Sequence, residues 1–146
     1  MTHVAFFVLS PQIRGDRFLL ACHLAERFQG EKQHLYIHTE GEDATCHMNR
    51  LLWTFRQGSF IPHGLAGTEE DTTVPVSVLI GHHQPPLGSL DRLMNLTHEV
   101  PDFFHRFTEV VEPLDQDPAV REAGRARFRF YRERGLKIIT HNDFLW

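Results

Sequence analysis

Apolar and polar positions along the chain alternate between two kinds of pattern. Val4 to Leu9 is a continuous apolar run rich in β-formers, as expected of a strand buried on both faces, and Ser10 to Gly15 breaks it. Asp16 can cap a helix running to about Gln29, with Phe18, Ala21, Ala25 and Phe28 at helical spacing and Gly30 as its stop. Leu35 to Thr39 reads as a second strand. Strand, helix and strand in that order imply a right-handed parallel crossover. A second helix is predicted over Glu42 to Phe55, burying Ala44, Met48, Leu51, Leu52 and Phe55. A loop from about Arg56 to Thr73 follows, then strands at Val74 to Ile80 and Leu90 to Leu96 around the turn-rich GHHQPPLGS. Val100 to Arg106 fits a short helix with Pro101 in its first turn. Phe107 to Leu114 alternates as a strand does, Ala119 to Gly135 is helical, and Leu136 to Thr140 closes the set as a last strand. The expected fold is a three-layer, Rossmann-like α/β domain: a mixed, largely parallel sheet with helices on both faces.

Charge singles out one of these elements. Ala119 to Gly135, AVREAGRARFRFYRERG, holds six Arg and two Glu, so it carries +4 in a chain of net charge -4 and leaves -8 on the rest. At 100° per residue Arg121, Arg125, Phe128, Arg129 and Arg132 share one face, while Val120, Ala123, Phe130 and Tyr131 lie roughly opposite. A solvated helix face is the plain reading of a charge run. Against it, mixed surface faces interleave Glu with Lys, whereas this one is nearly all Arg, whose planar fork suits carboxylate or phosphate. The expected ligand is an anion. Gly124 inside the helix should weaken it by roughly 1 kcal/mol relative to Ala.

Length and composition bound the rest. The 146 residues fit one domain, 1–146, and the twelve Phe supply large core side chains. No apolar run approaches the ~20 residues of a membrane helix, and MTHVAFFVLS lacks the basic start and cleavage site of a secretion signal, so a cytoplasmic location is expected. Cys22 and Cys46, both in predicted helices, read as small buried hydrophobes rather than a disulfide.

Several chemistries lack their residues. The first strand-to-helix turn, SPQIRGD, has one glycine, and neither G-x-G-x-x-G nor G-x-x-x-x-G-K-[ST] occurs, so no nucleotide is expected to bind. Eleven histidines raise the question of a metal. His34 and His38 on one strand would stand about 13 Å apart, too far to share an ion. His82 beside His83 and Cys46 beside His47 have no second cluster at ligand spacing, so no metal or other cofactor is expected. Ser10 and Ser59 lack a G-x-S-x-G context for a hydrolase.

Leu51 to Gly67, LLWTFRQGSFIPHGLAG, places Trp53 near a helix end and Phe60, Pro62 and Leu65 on a loop. Two readings fit: these side chains close over the core, or they form an exposed patch whose aromatics anchor a partner, with Pro62 limiting the ordering cost.

Together these stretches carry a resemblance. Leu52-Trp53 followed by S-F-[IV]-P-H-x-L-A-G, here Ser59 to Gly67, is similar to the chi subunit of bacterial DNA polymerase III holoenzyme. So are F-T-E-V-V at Phe107 to Val111, R-x-R-[FY]-[KR]-x-Y-R-x-x-G at Arg125 to Gly135, and the terminal Trp146. The resemblance runs from the first strand nearly to the last residue; its Ser59 to Gly67 block is specific, whereas the basic helix alone would not be. It implies a non-catalytic accessory subunit of the clamp-loader assembly, a monomer in a hetero-complex that meets DNA indirectly. One implied partner is the psi subunit, facing Trp53, Phe60 and Pro62. The other is the acidic C-terminal tail of single-stranded DNA-binding protein, which ends in Pro-Phe and would meet Leu114, Arg121, Arg125, Phe128 and Arg129. Phe128 stands where the family commonly has Tyr. The alternative is direct binding of single-stranded nucleic acid, with Arg121, Arg125, Arg129 and Arg132 on phosphates and Phe128 stacking a base, although the -8 elsewhere argues against a long track.

Overall fold

The computed structural model describes residues 2–31, 34–58, 61–66, 78–85 and 91–146. Its elements are β1 (His3–Leu9), α1 (Arg17–Phe28), β2 (Leu35–His38), α2 (Glu42–Thr54), β3 (His63–Leu65), β4 (Val78–Gly81), β5 (Arg92–Asn95), β6 (Glu109–Leu114), α3 (Pro118–Glu133) and β7 (Lys137–Phe144). The strands form one seven-stranded sheet in the order β3-β4-β2-β5-β6-β1-β7. The largely parallel sheet expected from the crossover pattern is parallel at every described pairing.

Two apolar layers follow from the strand pleat, which sends alternate residues to opposite faces. Ala5, Phe7 and Leu9 of β1 join Leu35 and Ile37 of β2 under α1 and α2, around Leu20, Leu24 and Met48. Val4, Phe6 and Val8 point the other way with Tyr36, toward Tyr131 of α3. Helices therefore cover both faces, with α3 and the 3-10 segment at Phe104–Arg106 on the second. Asp16 caps α1 through Leu19 N–H (3.0 Å), as its position in the sequence predicts.

Three local expectations change. The loop placed at Arg56 to Thr73 contains the short edge strand β3, which pairs with Val78–Ile80; three half-buried residues around a central glycine give no alternation to read. Val100 to Arg106 is not an α-helix. A turn at Asp102–Phe103 leads into a 3-10 segment at Phe104–Arg106, with Phe104 N–H bonded to Pro101 O and Arg106 N–H to Phe103 O. This tighter turn lets Phe103, Phe104 and Phe107 all pack on the α3-side core. The last strand continues to Phe144, past the predicted Thr140. Residues 74–77 and 90 of the predicted strands lie outside the described residues.

Candidate functional site: the arginine groove

The arginine helix is fixed at both ends. Asp117 accepts from Ala119 N–H (2.8 Å), Pro118 occupies the first turn, and Gly135, at φ 74°, lets the chain turn back into β7. Its inward line is Gly124, Arg127 and Tyr131, all buried. Val120, Ala123 and Phe130, expected on that face, flank it half-buried.

Gly124 explains how close α3 comes to the sheet. A Cβ there would stand 2.8 and 2.9 Å from the two δ carbons of Leu114, so the helix backbone rests on β6 only because position 124 has no side chain. The propensity cost expected from the sequence is offset by this approach.

Beside this contact lies a groove of about 450 Å³. Phe6, Val8, Leu114 and Phe128 form its apolar floor, with the Phe6 and Phe128 rings 5.5 Å apart. Arg121, Arg125, Arg129 and Arg132 stand along its α3 wall, and Thr140 and Asn142 of β7 along the other. All five residues that the resemblance assigns to the acidic tail, Leu114, Arg121, Arg125, Phe128 and Arg129, thus line one groove. The cations carry few internal commitments. Arg125 meets Glu122 at 3.3 Å as an exposed i,i+3 pair, worth about 0–0.5 kcal/mol, and Arg121 Nη1 donates to Gln116 Oε1 across 3.3 Å. Phe6, Val8, Thr140 and Asn142 were not foreseen, because strand alternation does not say which face a distant helix will cover.

Arg127 belongs to the same basic run but points inward. Its Nε donates to Glu112 Oε1 (2.8 Å) and its Nη1 to the His98 carbonyl (2.9 Å). Tyr131 Oη and Asn95 Nδ2 both donate to Glu112 Oε2, at 2.6 and 3.1 Å. The Tyr131 hydroxyl is pushed well above its ordinary pKa by burial and by the Glu112 charge, so it remains a donor. These bonds tie α3 to β5, β6 and the loop after β5.

The second predicted surface lies at the far edge of the sheet. Trp53, in the last turn of α2, has 56% of its surface exposed, which decides against the core-closing reading for that residue. Its ring lies 4.7 Å from that of His63 at the β3 edge, and Pro62, the residue before His63, is half-buried. Phe60, the third residue predicted there, lies outside the described residues, as do Ser59 and Gly67 of its motif.

At the first strand-to-helix turn, the N-terminal N–H groups of α1 already serve the protein's own carboxylates. Arg17 N–H donates to Asp115 Oδ2 (2.8 Å) and Leu19 N–H to Asp16 Oδ1. Cys22 is buried, its thiol pushed up to about 12 chiefly by desolvation, and Cys46 is free and half-buried. Among the described residues no three His, Cys, Asp or Glu side chains converge as a metal ion requires, and no helix is long and apolar enough to cross a membrane.

Comparison with known proteins follows the same lines. Residues 1–139 match the family model described as DNA polymerase III chi subunit, HolC. The chain is similar to the DNA polymerase III subunit chi of Pseudomonas aeruginosa, 40% identical over 97% of this chain and 96% of that one. It is also similar to the chi subunits of Escherichia coli (30% identical, covering 96% and 97%) and Haemophilus influenzae (29%, covering 94% of each). Among solved structures, the Mss116p DEAD-box helicase domain 2 bound to an RNA duplex superposes with a TM-score of 0.51 at 14% identity, over 94% of this chain and 64% of that one. At that identity the likeness is one of fold. On sequence, over almost its whole length, the chain belongs to the chi subunit family of DNA polymerase III.

Proposed function

We propose that this chi-family chain is a non-catalytic link in the replication machinery, holding the acidic C-terminal tail of single-stranded DNA-binding protein in the arginine groove and the psi subunit at the Trp53 edge. The observation that carries the reading is the composition of the groove: four arginines beside a phenylalanine-floored notch. Acidic residues suit the first and a terminal Phe ring the second, while the free carboxylate of such a tail suits a guanidinium fork. The two surfaces sit at opposite edges of a sheet whose six spacings span roughly 29 Å, so one partner leaves the other's site open.

The test is titration of the full-length chain with an acidic peptide ending in Pro-Phe and with the same peptide lacking the Phe. The expected Kd of the first is on the order of micromolar, about -8 kcal/mol. Arg125→Ala and loss of the terminal Phe should each weaken it about tenfold or more. Equal affinities for the two peptides would reduce the groove to a generic cationic surface. A single-stranded oligonucleotide added as competitor separates direct nucleic-acid binding, which would displace the peptide at equal charge.

A further inference from the structure

A larger cleft, about 770 Å³, opens at the C-terminal ends of β2, β4 and β5, away from both surfaces described above. It lies where the chain path divides. From β2 the chain leaves by α2 across one face toward β3, whereas from neighbouring β5 it leaves by the 3-10 segment across the other face toward β6. Parallel sheets leave a ligand-sized crevice at such a switch point.

The polar groups around this crevice are mostly committed. Thr97 Oγ1 donates to the Glu99 carbonyl, His98 N–H to the Glu40 carboxylate, Tyr36 Oη to the His83 carbonyl, and His82 Nδ1 meets Thr45 Oγ1. Arg106 differs. Both its terminal guanidinium nitrogens are shut off from water without a hydrogen-bond partner among the described residues, and so is Nδ1 of His38; both residues line the cleft. A desolvated guanidinium that lacks an acceptor is costly, and a ligand supplying one removes the cost. Two donors in a planar fork match the paired oxygens of a carboxylate or phosphate. Glu40, Glu99 and Asp102, exposed at the rim, repel a polyanion and so select against a nucleic-acid backbone or a triphosphate.

We infer that this cleft is a binding site for a small molecule bearing one oxyanion, a carboxylate or a phosphate monoester, which the Arg106 guanidinium grips with two hydrogen bonds while His38 Nδ1 supplies another polar contact. The edge-on Phe103 ring, 5.0 Å from His38, gives the ligand an apolar wall. Because both nitrogens are covered, entry shifts the segment from His98 to Arg106, whose regular structure is one 3-10 turn.

The experiment uses the full-length chain, isotope-labelled, titrated separately with inorganic phosphate and with acetate at constant ionic strength, and read by amide and arginine side-chain NMR shifts. Expected are saturable shifts confined to residues 38–40, 81–84 and 97–106 and including the Arg106 side chain. Phosphate alone, acetate alone or both saturating identifies the kind of oxyanion. Arg106→Lys, which keeps the charge and loses the fork, should weaken binding about tenfold, Arg106→Gln should abolish it, and Arg125→Ala should leave it unchanged. Should Arg106→Gln fail to fold, Arg106→Lys alone decides. Shifts that grow linearly, survive the Arg106 substitutions, or fall on the arginine helix instead would overturn the assignment.

Discussion

Arg127 Nε and Glu112 Oε1 meet at 2.8 Å with side chains 3% and 0% exposed, so one charge pair anchors the arginine helix to the sheet out of reach of water. Inside a protein a lone charge is far more costly than a matched pair. Arg127→Ala strands the Glu112 carboxylate and should cost about 3–5 kcal/mol, whereas Tyr131→Phe, which removes one of its hydrogen bonds, should cost about 1–2 kcal/mol. Urea unfolding measures both. A loss below about 1 kcal/mol for Arg127→Ala would mean that water reaches Glu112 in the variant.

Gly124→Ala sets helix propensity against packing. Alanine gains about 1 kcal/mol in a helix interior, but the new methyl would sit 2.8 Å from a Leu114 δ carbon, and overpacking of this kind costs about 1–3 kcal/mol. A net loss of stability is expected, together with weaker peptide binding as Leu114 is pushed into the groove. In a Leu114→Ala background the clash partner is gone, and Gly124→Ala should then be stabilising. Thermal melts of the parent chain and the three variants close the cycle.

The same two residues show what a sequence can disclose about this site. Periodicity places Arg121, Arg125, Phe128 and Arg129 on one face because side-chain direction in a helix follows from spacing alone. The same spacing sets Arg127 inward, beside Val120 and Tyr131, but cannot show what holds its charge there, since its acceptor Glu112 comes from a separate strand. Nor can it show that Gly124 is required, because the reason lies on Leu114. The Leu35–Ile37 run and the Asp16 cap were legible for the opposite reason, each being a local preference that the fold does not override. Strand β3 was not, as a three-residue edge strand has no period.

His38 should make stability depend on pH. Burial holds its pKa down at about 4, below the ordinary 6.5, with His82 and His83 acting in the same direction and Glu40 opposing. Between those values the unfolded chain binds a proton that the folded chain refuses. Stability is therefore complete above pH 6.5 and declines as pH falls toward 4; His23, also lowered mainly by burial, adds in the same sense. Allowing for screening at a partly exposed ring, the His38 contribution is roughly 1–2 kcal/mol. Urea midpoints at pH 7.5 and pH 5 should differ accordingly, and His38→Gln should reduce the difference. An unchanged difference would place the titration elsewhere.

Trp53 tests whether the β3 edge is a docking surface. The side chain is more exposed than buried and touches His63, so its truncation removes little core contact and should cost about 1 kcal/mol of stability or less. A large aromatic with an exposed face is, by contrast, the kind of anchor on which a partner's binding energy concentrates, and Trp53→Ala should weaken association with psi by about 2 kcal/mol or more. The groove provides the internal control, since it lies at the opposite edge of the sheet and shares no residue with this surface. Calorimetric titration of the Trp53→Ala chain with psi, and separately with the Pro-Phe peptide, should thus show a loss in the first and none in the second. Undiminished psi binding would remove Trp53 from the interface; a parallel loss of peptide affinity would mean that the substitution disturbs the whole sheet rather than one edge.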